Sequence, residues 1–189
     1  MAVRTFFAVD IDQCIRDRLG EVVRLVEAPR SKIRWVADDQ IHVTLKFLGD
    51  VADEVINDVC ATAEEVASRI EPFEFHVRGL LCQPPSGRQL RMIWAGVEDP
   101  TSGLSRMHDE LDAALAGLGL RRDNRAFKPH LTLARIKYAD QAEAVRRAAA
   151  GYAAKDFGTQ YAKGLVAYSS QLTPTGPVYA PIAGAKLGR

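Results

Sequence analysis

Residues 41–48 read Ile-His-Val-Thr-Leu-Lys-Phe-Leu, and residues 127–135 read Phe-Lys-Pro-His-Leu-Thr-Leu-Ala-Arg. Both stretches contain the unit His-x-Thr-Leu, which begins at His42 and recurs almost half a chain later at His130. The first stretch alternates apolar and polar residues, which is typical of a β-strand with one buried face. The repetition predicts a chain of two similar lobes, each containing one of these strands.

Strand and helix patterns follow one another along the rest of the chain. Strand patterns lie at residues 3–9, 33–36, 41–48, 73–80, 90–97, 127–136, 165–172 and 178–180, and helical patterns at 11–26, 53–70, 104–118 and 140–150. Gly49 is expected to end the third strand. The Pro-Pro-Ser-Gly turn after Gln83 joins two strand patterns directly, so we expect a partly antiparallel sheet and the α+β class. No linker is visible, and residues 1–189 are expected to form a single two-lobed domain.

Composition and charge exclude several classes of protein. Apolar residues make up 47% of the 189 residues, which is ordinary for a folded globular chain. The 25 basic and 24 acidic residues give a net charge of +1, whereas a protein that binds nucleic acid through a broad basic surface needs a basic surplus. No apolar run approaches the roughly 20 residues of a membrane-spanning helix, and the N-terminus has no signal-peptide pattern. The chain is therefore expected in the cytoplasm, without a membrane partner.

The cysteines and the remaining histidines show no spacing that is typical of a metal site. Cys14, Cys60 and Cys82 form neither a CxxC pair nor a disulfide framework. His76 and His108 lie in a strand pattern and a helix pattern, where surface and packing roles are expected. No cluster of Cys, His and carboxylate residues has metal-ligand spacing, so we predict no metal.

The side chains of the repeated unit predict acid–base chemistry on a phosphate. In a strand, residues i and i+2 share a face, so His42 lies beside Thr44 and His130 beside Thr132. Two imidazoles across a cleft suit general acid–base catalysis near neutral pH, and two hydroxyls suit the binding of an oxyanion. Basic residues flank both units, namely Lys46, Arg125, Lys128 and Arg135. These cations favour a phosphate ester over an uncharged acyl group.

Strict alternation assigns a side of the sheet to three further residues. Lys46 falls on the face of His42, where it either binds substrate or is solvated. Phe47 falls with the core residues, although it and Phe7 are also candidates for stacking on a nucleobase. Arg135 falls on the opposite face from the second histidine, so it reaches a bound phosphate only if the strand ends or forms a bulge there.

The motif stretches resemble those of the 2H phosphoesterases, a family named for two His-x-Thr motifs. Within that family the chain is similar to the RNA 2′,3′-cyclic phosphodiesterases, formerly called 2′-5′ RNA ligases. The resemblance spans nearly the whole chain and rests on residues 4–9, 33–36, 41–49, 127–135, 168–172 and 176–179. It implies two pseudo-symmetric, mostly antiparallel sheets with helices outside and a central cleft.

The resemblance also implies a reaction, the hydrolysis of a 2′,3′-cyclic phosphate to a 2′-phosphomonoester without metal or cofactor. His130 would be the proton acceptor that activates water, and His42 the proton donor to the leaving 3′-oxygen. Thr44 and Thr132 would bind phosphate oxygens, and Arg135 would bind phosphate or ribose. The reverse reaction would give weak 2′-5′ ligation without ATP.

The expected substrates are RNA 3′ ends or small nucleotides with a 2′,3′-cyclic phosphate, acted on by a monomer that needs no obligate protein partner. Two alternatives stay open: a non-catalytic module that binds RNA ends, and a phosphodiesterase for another cyclic phosphate. ATP-dependent ligation is not expected, because the chain has neither a GxxxxGKS/T loop nor a Lys-x-Asp-Gly site.

Overall fold

The strands and helices of the protein largely follow its apolar periodicity. The computed structural model describes residues 2–26, 32–87, 89–138, 142–174 and 176–188. Within these ranges the strands are β1 (Ala2–Asp10), β2 (Lys32–Trp35), β3 (His42–Ala52), β4 (Phe73–Gln83), β5 (Met92–Glu98), β6 (His130–Tyr138), β7 (Asp156–Ala162), β8 (Gly164–Thr173) and β9 (Gly176–Lys186). The helices are α1 (Gln13–Val26), α2 (Ile56–Ser68), α3 (Gly103–Ala116) and α4 (Ala142–Ala150). The predicted α+β class is confirmed, since the pairings among the described strands are antiparallel.

The sheet consists of two halves with matching strand order. The hydrogen-bonded order is β7-β4-β5-β6-β3-β1-β8-β9, and β2 pairs with the later residues of β6. The two motif strands, β6 and β3, lie side by side at the centre, and each has three further strands outside it. In the described part of the chain, β3 and β6 share a single backbone pair, Val43 opposite Leu131. The predicted pseudo-symmetric halves are therefore present, joined into one sheet at this narrow seam.

Two helices cover each half of the sheet. α2 and α3 pack against each other and against β3, β8 and β9, while α1 and α4 pack against β7 and β4. The apolar stripes of the helices are fully buried, as shown by Ile15 and Leu19 on α1 and by Met107 and Leu111 on α3. Burial of each such side chain stabilises the fold by about 1.5–3 kcal/mol. None of the described helices combines the length and the apolar content that a membrane crossing requires.

Several boundaries differ from those predicted by the sequence. Gly49 does not end β3: its φ of 73° lets the strand bend and continue to Ala52. β7 has no counterpart among the predicted strands, because glycine and polar residues interrupt its apolar pattern. β9 is longer than the predicted 178–180, because its small residues and prolines carry little strand signal. The helix predicted at 140–150 is present as α4, and its first two predicted residues lie outside the described residues.

Candidate active site

A β-bulge at Leu45 interrupts β3 just after its His-x-Thr motif. Thr44 and Lys46 pair with consecutive residues of β1, which leaves Leu45 as an extra residue. The extra residue turns the rest of the strand over, so Lys46 leaves the face of His42 and enters the protein. Lys46 is only 2% exposed and does not line the cleft. The prediction that it shares the face of His42 is therefore wrong, and Lys46 is removed from the substrate site.

The same bulge reverses the expected side of Phe47, one of the two candidates for stacking on a base. Phe47 turns to the face of His42, where it is 58% exposed and lines the cleft. Phe7 pairs with Lys46 and is fully buried in the core, so it is not available to stack on a base in the cleft. Of the two stacking candidates, Phe47 lines the cleft and Phe7 does not.

The second motif carries a bulge at the equivalent position. Thr132 and Ala134 pair with consecutive residues of β5, which leaves Leu133 as the extra residue. Beyond the bulge, Arg135 returns to the face of His130, is exposed and lines the cleft. Of the two alternatives that alternation left for Arg135, the structure shows the bulge.

The seam between β3 and β6 brings the two motifs together. Val43 lies opposite Leu131, and continuing this antiparallel register by one position places Thr132 next to His42. Continuing the register by one position in the other direction along β3 places His130 next to Thr44. Because i and i+2 side chains share a face, the two imidazoles and two hydroxyls form the four corners of one site.

Both histidines are held in the same tautomer by a backbone carbonyl two residues earlier. His42 donates its Nδ1–H to the carbonyl of Gln40 at 2.8 Å, and His130 donates its Nδ1–H to that of Lys128 at 2.7 Å. These bonds leave Nε2 of each ring as the free acceptor. The Thr44 hydroxyl lies 3.0 Å from Nε2 of His42 and donates to it. Each ring therefore presents one proton-accepting nitrogen to the chemistry of the cleft.

His42 is packed among aromatic rings. Phe6 stacks on it with ring centroids 5.0 Å apart, and Tyr179 meets it edge-on at 5.5 Å. Burial is the main cause that lowers the pKa of His42 from its ordinary value of 6.5 to about 4. Its backbone hydrogen bond and the Asp10 carboxylate raise the pKa, and the positive charge of Arg135 adds to the lowering. His42 is therefore uncharged near pH 7 while the cleft is empty of anions.

His130 lies against the indole of Trp94, with ring centroids 3.8 Å apart. Burial lowers the pKa of His130, its hydrogen bond to the Lys128 carbonyl opposes this, and the charge of Arg135 lowers the pKa further. Among the described residues no carboxylate contributes to this shift, in contrast to His42. The pKa of each ring is therefore below its ordinary value of 6.5, and in the described part of the chain only His42 has a carboxylate that raises it.

The cleft beside the motifs has a volume of about 260 Å³. Its lining includes His42, Thr44, Phe47, Thr132, Arg135, Arg34, Gln40 and the 176–179 segment of β9. His130 lies two residues before Thr132 on the same face of β6, beside the lining residues His42, Thr44, Thr132 and Arg135. The described residues contain no group of three or more His, Cys, Asp or Glu side chains arranged to hold a metal ion.

The cleft residues without a role assigned from the sequence include Arg34, Gln40 and Tyr179. Arg34 and Tyr179 lie within the stretches that carry the family resemblance, which is the signal that points to them. Gln40 has no such signal, because its contact is distant along the chain. Its side-chain amide donates to the carbonyl of Pro177 at 3.2 Å, 137 positions away, and ties β9 to the residues before β3.

Duplicated His-x-Thr strands at the centre of two matching half-sheets place the protein among the two-histidine phosphoesterases. The family model described as "LigT like Phosphoesterase" matches residues 9–94 and 96–179, which include both motifs and most of the chain. The chain belongs to the LigT-like phosphoesterase family, and the 2H phosphoesterase membership expected from its motifs is confirmed.

Relatives of known name are similar over almost their whole length. The chain is 30% identical over 179 residues to an RNA 2′,3′-cyclic phosphodiesterase of Methanothermobacter thermautotrophicus, covering 95% of this chain and 96% of the relative. It is 33% identical over 177 residues to the Escherichia coli K12 protein of the same name, covering 90% and 93%. The crystal structure of TT0787 of Thermus thermophilus superimposes with a TM-score of 0.83 at 29% identity, covering 97% of both chains. E. coli LigT complexed with 3′-AMP shares the fold, with a TM-score of 0.79 at 24% identity and full coverage of both chains.

Proposed function

We propose that this enzyme hydrolyses the 2′,3′-cyclic phosphate at the end of an RNA or small nucleotide and releases a 2′-phosphomonoester. The observation that carries the proposal is the placement of His42 and His130 across a narrow seam, with Nδ1 of each ring bonded to a backbone carbonyl and Nε2 left as the nitrogen that can exchange a proton. The proteins named above as RNA 2′,3′-cyclic phosphodiesterases, which match nearly the whole chain, support the same substrate class.

In the proposed reaction, water attacks phosphorus and the bond from phosphorus to the 3′-oxygen breaks. His130 accepts the proton of the water at Nε2, and His42 delivers a proton from Nε2 to the departing 3′-oxygen. Afterwards His130 is protonated and His42 is not, so exchange with solvent restores the starting state. The two threonine hydroxyls and the guanidinium of Arg135 bind the non-bridging phosphate oxygens as charge develops on them.

The order of acid and base is the one that the family resemblance implies, and in the empty cleft burial, Arg16 and Arg135 lower the pKa of the proposed acid, His42, to about 4. Asp10 lies opposite His42 in the strand pairing and raises the pKa of that imidazole, which favours the protonated acid. A bound phosphate anion raises the same pKa further, because an opposite charge stabilises the imidazolium. Arg135 lowers the pKa of both rings, and among the described residues no carboxylate opposes this effect at His130.

We further propose that hydrolysis needs neither metal nor cofactor, and that the enzyme acts as a monomer in the cytoplasm without an obligate partner. Attack on phosphorus by the 5′-hydroxyl of another RNA end in place of water, with the same departure of the 3′-oxygen, would form a 2′-5′ linkage, which is the weak ligation without ATP expected from the sequence. The two-histidine mechanism supports the metal-free reaction, because both proton transfers are assigned to side chains of this chain.

The test is incubation of the purified protein with an oligoribonucleotide that ends in a 2′,3′-cyclic phosphate, in the presence of EDTA. Phosphorus NMR is expected to show a 2′-phosphomonoester as the product. A 3′-phosphate would contradict the proposed bond cleavage, and activity that requires an added divalent ion would contradict the metal-free mechanism. Binding without turnover would favour the RNA-end binding module, and turnover of a different cyclic phosphate alone would favour that substrate.

The rate is expected to pass through a maximum on the acid side of neutrality. Because His130 must be unprotonated and His42 protonated, kcat/KM falls below the lower and above the higher pKa of the free enzyme. Both pKa values lie below 6.5, with that of His42 at about 4, so the maximum of kcat/KM is expected below pH 6.5. Bound substrate raises the pKa of His42, so kcat should decline at higher pH than kcat/KM does.

Initial rates on a small cyclic nucleotide between about pH 4 and pH 8 measure both profiles. A value of kcat/KM that is constant or still rising between about pH 5 and pH 8 would rule out this pair of histidines as acid and base.

A further inference from the structure

A second arginine lies in the cleft, beyond the one that reaches the motifs. Arg34 on β2 pairs directly with Arg135 on β6, and both side chains are exposed and line the cleft. Arg135 follows His130 along β6, so its partner on β2 lies further along the cleft from that histidine. Arg135 contributes to the lowered pKa of His130, whereas Arg34 is not among its causes. The cleft therefore contains two positive charges, Arg135 closer to His130 and Arg34 further from it.

Among the described residues, the salt bridges include no carboxylate that compensates the charge of either Arg34 or Arg135. Like charges at directly opposed strand positions destabilise a sheet. The arrangement gains stability when an anion enters the cleft, because guanidinium groups bind phosphate with charge-assisted hydrogen bonds.

The guanidinium of Arg34 is supported from the far side by the β8–β9 turn. Its Nη2 donates to the carbonyl of Pro174 at 3.4 Å. Gly176 comes so close that a Cβ there would lie 3.0 Å from Nη2, and its φ of 145° is one that other residues rarely adopt. Gln40 holds the same turn through the carbonyl of Pro177. One N–H of the guanidinium is thus used for support, and the others remain available to a ligand.

We propose that Arg34 forms a second anion subsite, which binds the phosphodiester that precedes the terminal cyclic phosphate of an RNA strand. This inference rests on the proposed function and specifies its substrate. A cleft of about 260 Å³ is small for a ligand pocket and suits one terminal nucleotide. The next anion along an RNA strand is then the phosphodiester on the 5′ side of that nucleotide. Arg34 would make the enzyme prefer RNA ends over free nucleoside 2′,3′-cyclic phosphates.

The experiment changes both partners of the proposed contact, Arg34 of the enzyme and the phosphodiester of the substrate. Three substrates are compared: a nucleoside 2′,3′-cyclic phosphate, a dinucleotide that ends in the same cyclic phosphate, and that dinucleotide with an uncharged methylphosphonate linkage. For wild type, kcat/KM should be about tenfold higher with the charged than with the uncharged dinucleotide, as expected for one charge-assisted hydrogen bond. In Arg34→Gln this ratio should fall to within about twofold of one.

Arg147→Gln is the matched control, because it removes the same charge from an exposed position on α4. It should retain the tenfold ratio. An Arg34→Gln enzyme that also retains the ratio would overturn the subsite, whatever its absolute rate. If wild type hydrolyses none of the substrates, the proposed function fails, and the subsite is tested by calorimetric titration with the two dinucleotides carrying a terminal 2′-phosphate. There too, a ratio of affinities unchanged by Arg34→Gln overturns the subsite, and a ratio that collapses supports it.

Discussion

Replacing either His42 or His130 with alanine is expected to lower kcat for a 2′,3′-cyclic phosphate by about 10³–10⁴-fold. Each ring is fixed in one tautomer and presents Nε2 to the cleft, so its loss removes one of the two proton transfers. Tyr179 touches His42 but is a poor substitute, because burial raises the pKa of its hydroxyl. Single-turnover rates measured with excess enzyme give the size of the loss.

The double variant is expected to be within about tenfold of the slower single variant, because acid and base act in the same step. Affinity for a 2′-phosphate product, measured by calorimetry, should stay within about tenfold of wild type in all three proteins. Thr44, Thr132 and Arg135 remain to bind the phosphate. This separation of turnover from affinity distinguishes catalysis from a role in RNA-end binding.

His76→Ala is the matched control, because His76 is an exposed residue of β4 whose Nδ1 lies 2.9 Å from the hydroxyl of Thr159. Its activity should stay within about twofold of wild type. A motif variant that keeps more than about a tenth of the wild-type kcat would show that the missing imidazole does not transfer a proton in the rate-limiting step.

Alternation predicts both motifs up to the threonine; beyond it, the prediction fails in β3, whereas the bulge considered for Arg135 is present in β6. Alternation places His42 with Thr44 correctly, and then assigns Lys46 and Phe47 to the wrong sides. The cause is the bulge at Leu45, an apolar residue that fits a regular strand equally well. Register is set by pairing with β1 and by a hydrogen bond from His108, 63 positions away, to the Leu45 carbonyl. Neither contact leaves a local signal.

Prediction of the strands was better at the centre of the sheet than at its edges. β1, β3 and β6 pair on both sides and carry Val, Leu, Ile and Phe at regular spacing, so their patterns are clear. β7 and β9 form the two ends of the strand order. Edge strands bury less side-chain surface, and Gly158, Gly176 and Pro177 reduce their strand signal further. Pairing with the adjacent strand of the folded sheet determines β7 and β9 more than the local sequence of each strand does.

A cluster of buried polar side chains behind β3 is not predicted by the sequence. Lys46, His108 and Asp112 are all nearly inaccessible to solvent. His108 stacks on Phe127, just before β6, with ring centroids 4.5 Å apart, and Asp112 accepts from the amide of Asp123 at 2.9 Å. α3 therefore contacts β3 and the segment that leads into β6, the two motif strands that share one backbone pair in the described residues. The pairing of residues 46 and 112 depends on the bulge that turns Lys46 inward.

Replacing Lys46 with methionine is expected to lower the free energy of unfolding by about 3 kcal/mol. In the folded protein, burial tends to raise the pKa of Asp112, but hydrogen bonds from Lys46, Arg122 and the Asp123 amide outweigh it and hold the pKa below its ordinary value. Without the lysine, 2.6 Å away in the wild type, the carboxylate stays buried with Arg122 as its charged partner. Urea denaturation at pH 7 measures the difference.

The sign of the pH dependence follows from the depressed pKa of Asp112. The stabilisation by the ion pair is present above the unfolded-state pKa of about 3.9 and is lost as the pH falls towards the lower, folded-state pKa. In Lys46→Met, burial prevails and the carboxyl accepts a proton more readily. The difference in free energy of unfolding between wild type and variant should therefore shrink as the pH falls from 7 to below about 4.

The double variant Lys46→Met, Asp112→Leu should regain at least half of the stability lost in the single variant, because it removes the buried charge together with its partner. Arg69→Ala serves as the control: its pair with Glu65 spans 3.2 Å between side chains that are 53% and 72% exposed, and its loss should cost less than about 0.5 kcal/mol. A Lys46→Met protein as stable as wild type would mean that Arg122 and the Asp123 amide suffice to stabilise the buried carboxylate. The connection between the two motif strands would then depend on His108, through its contacts with Leu45 and Phe127.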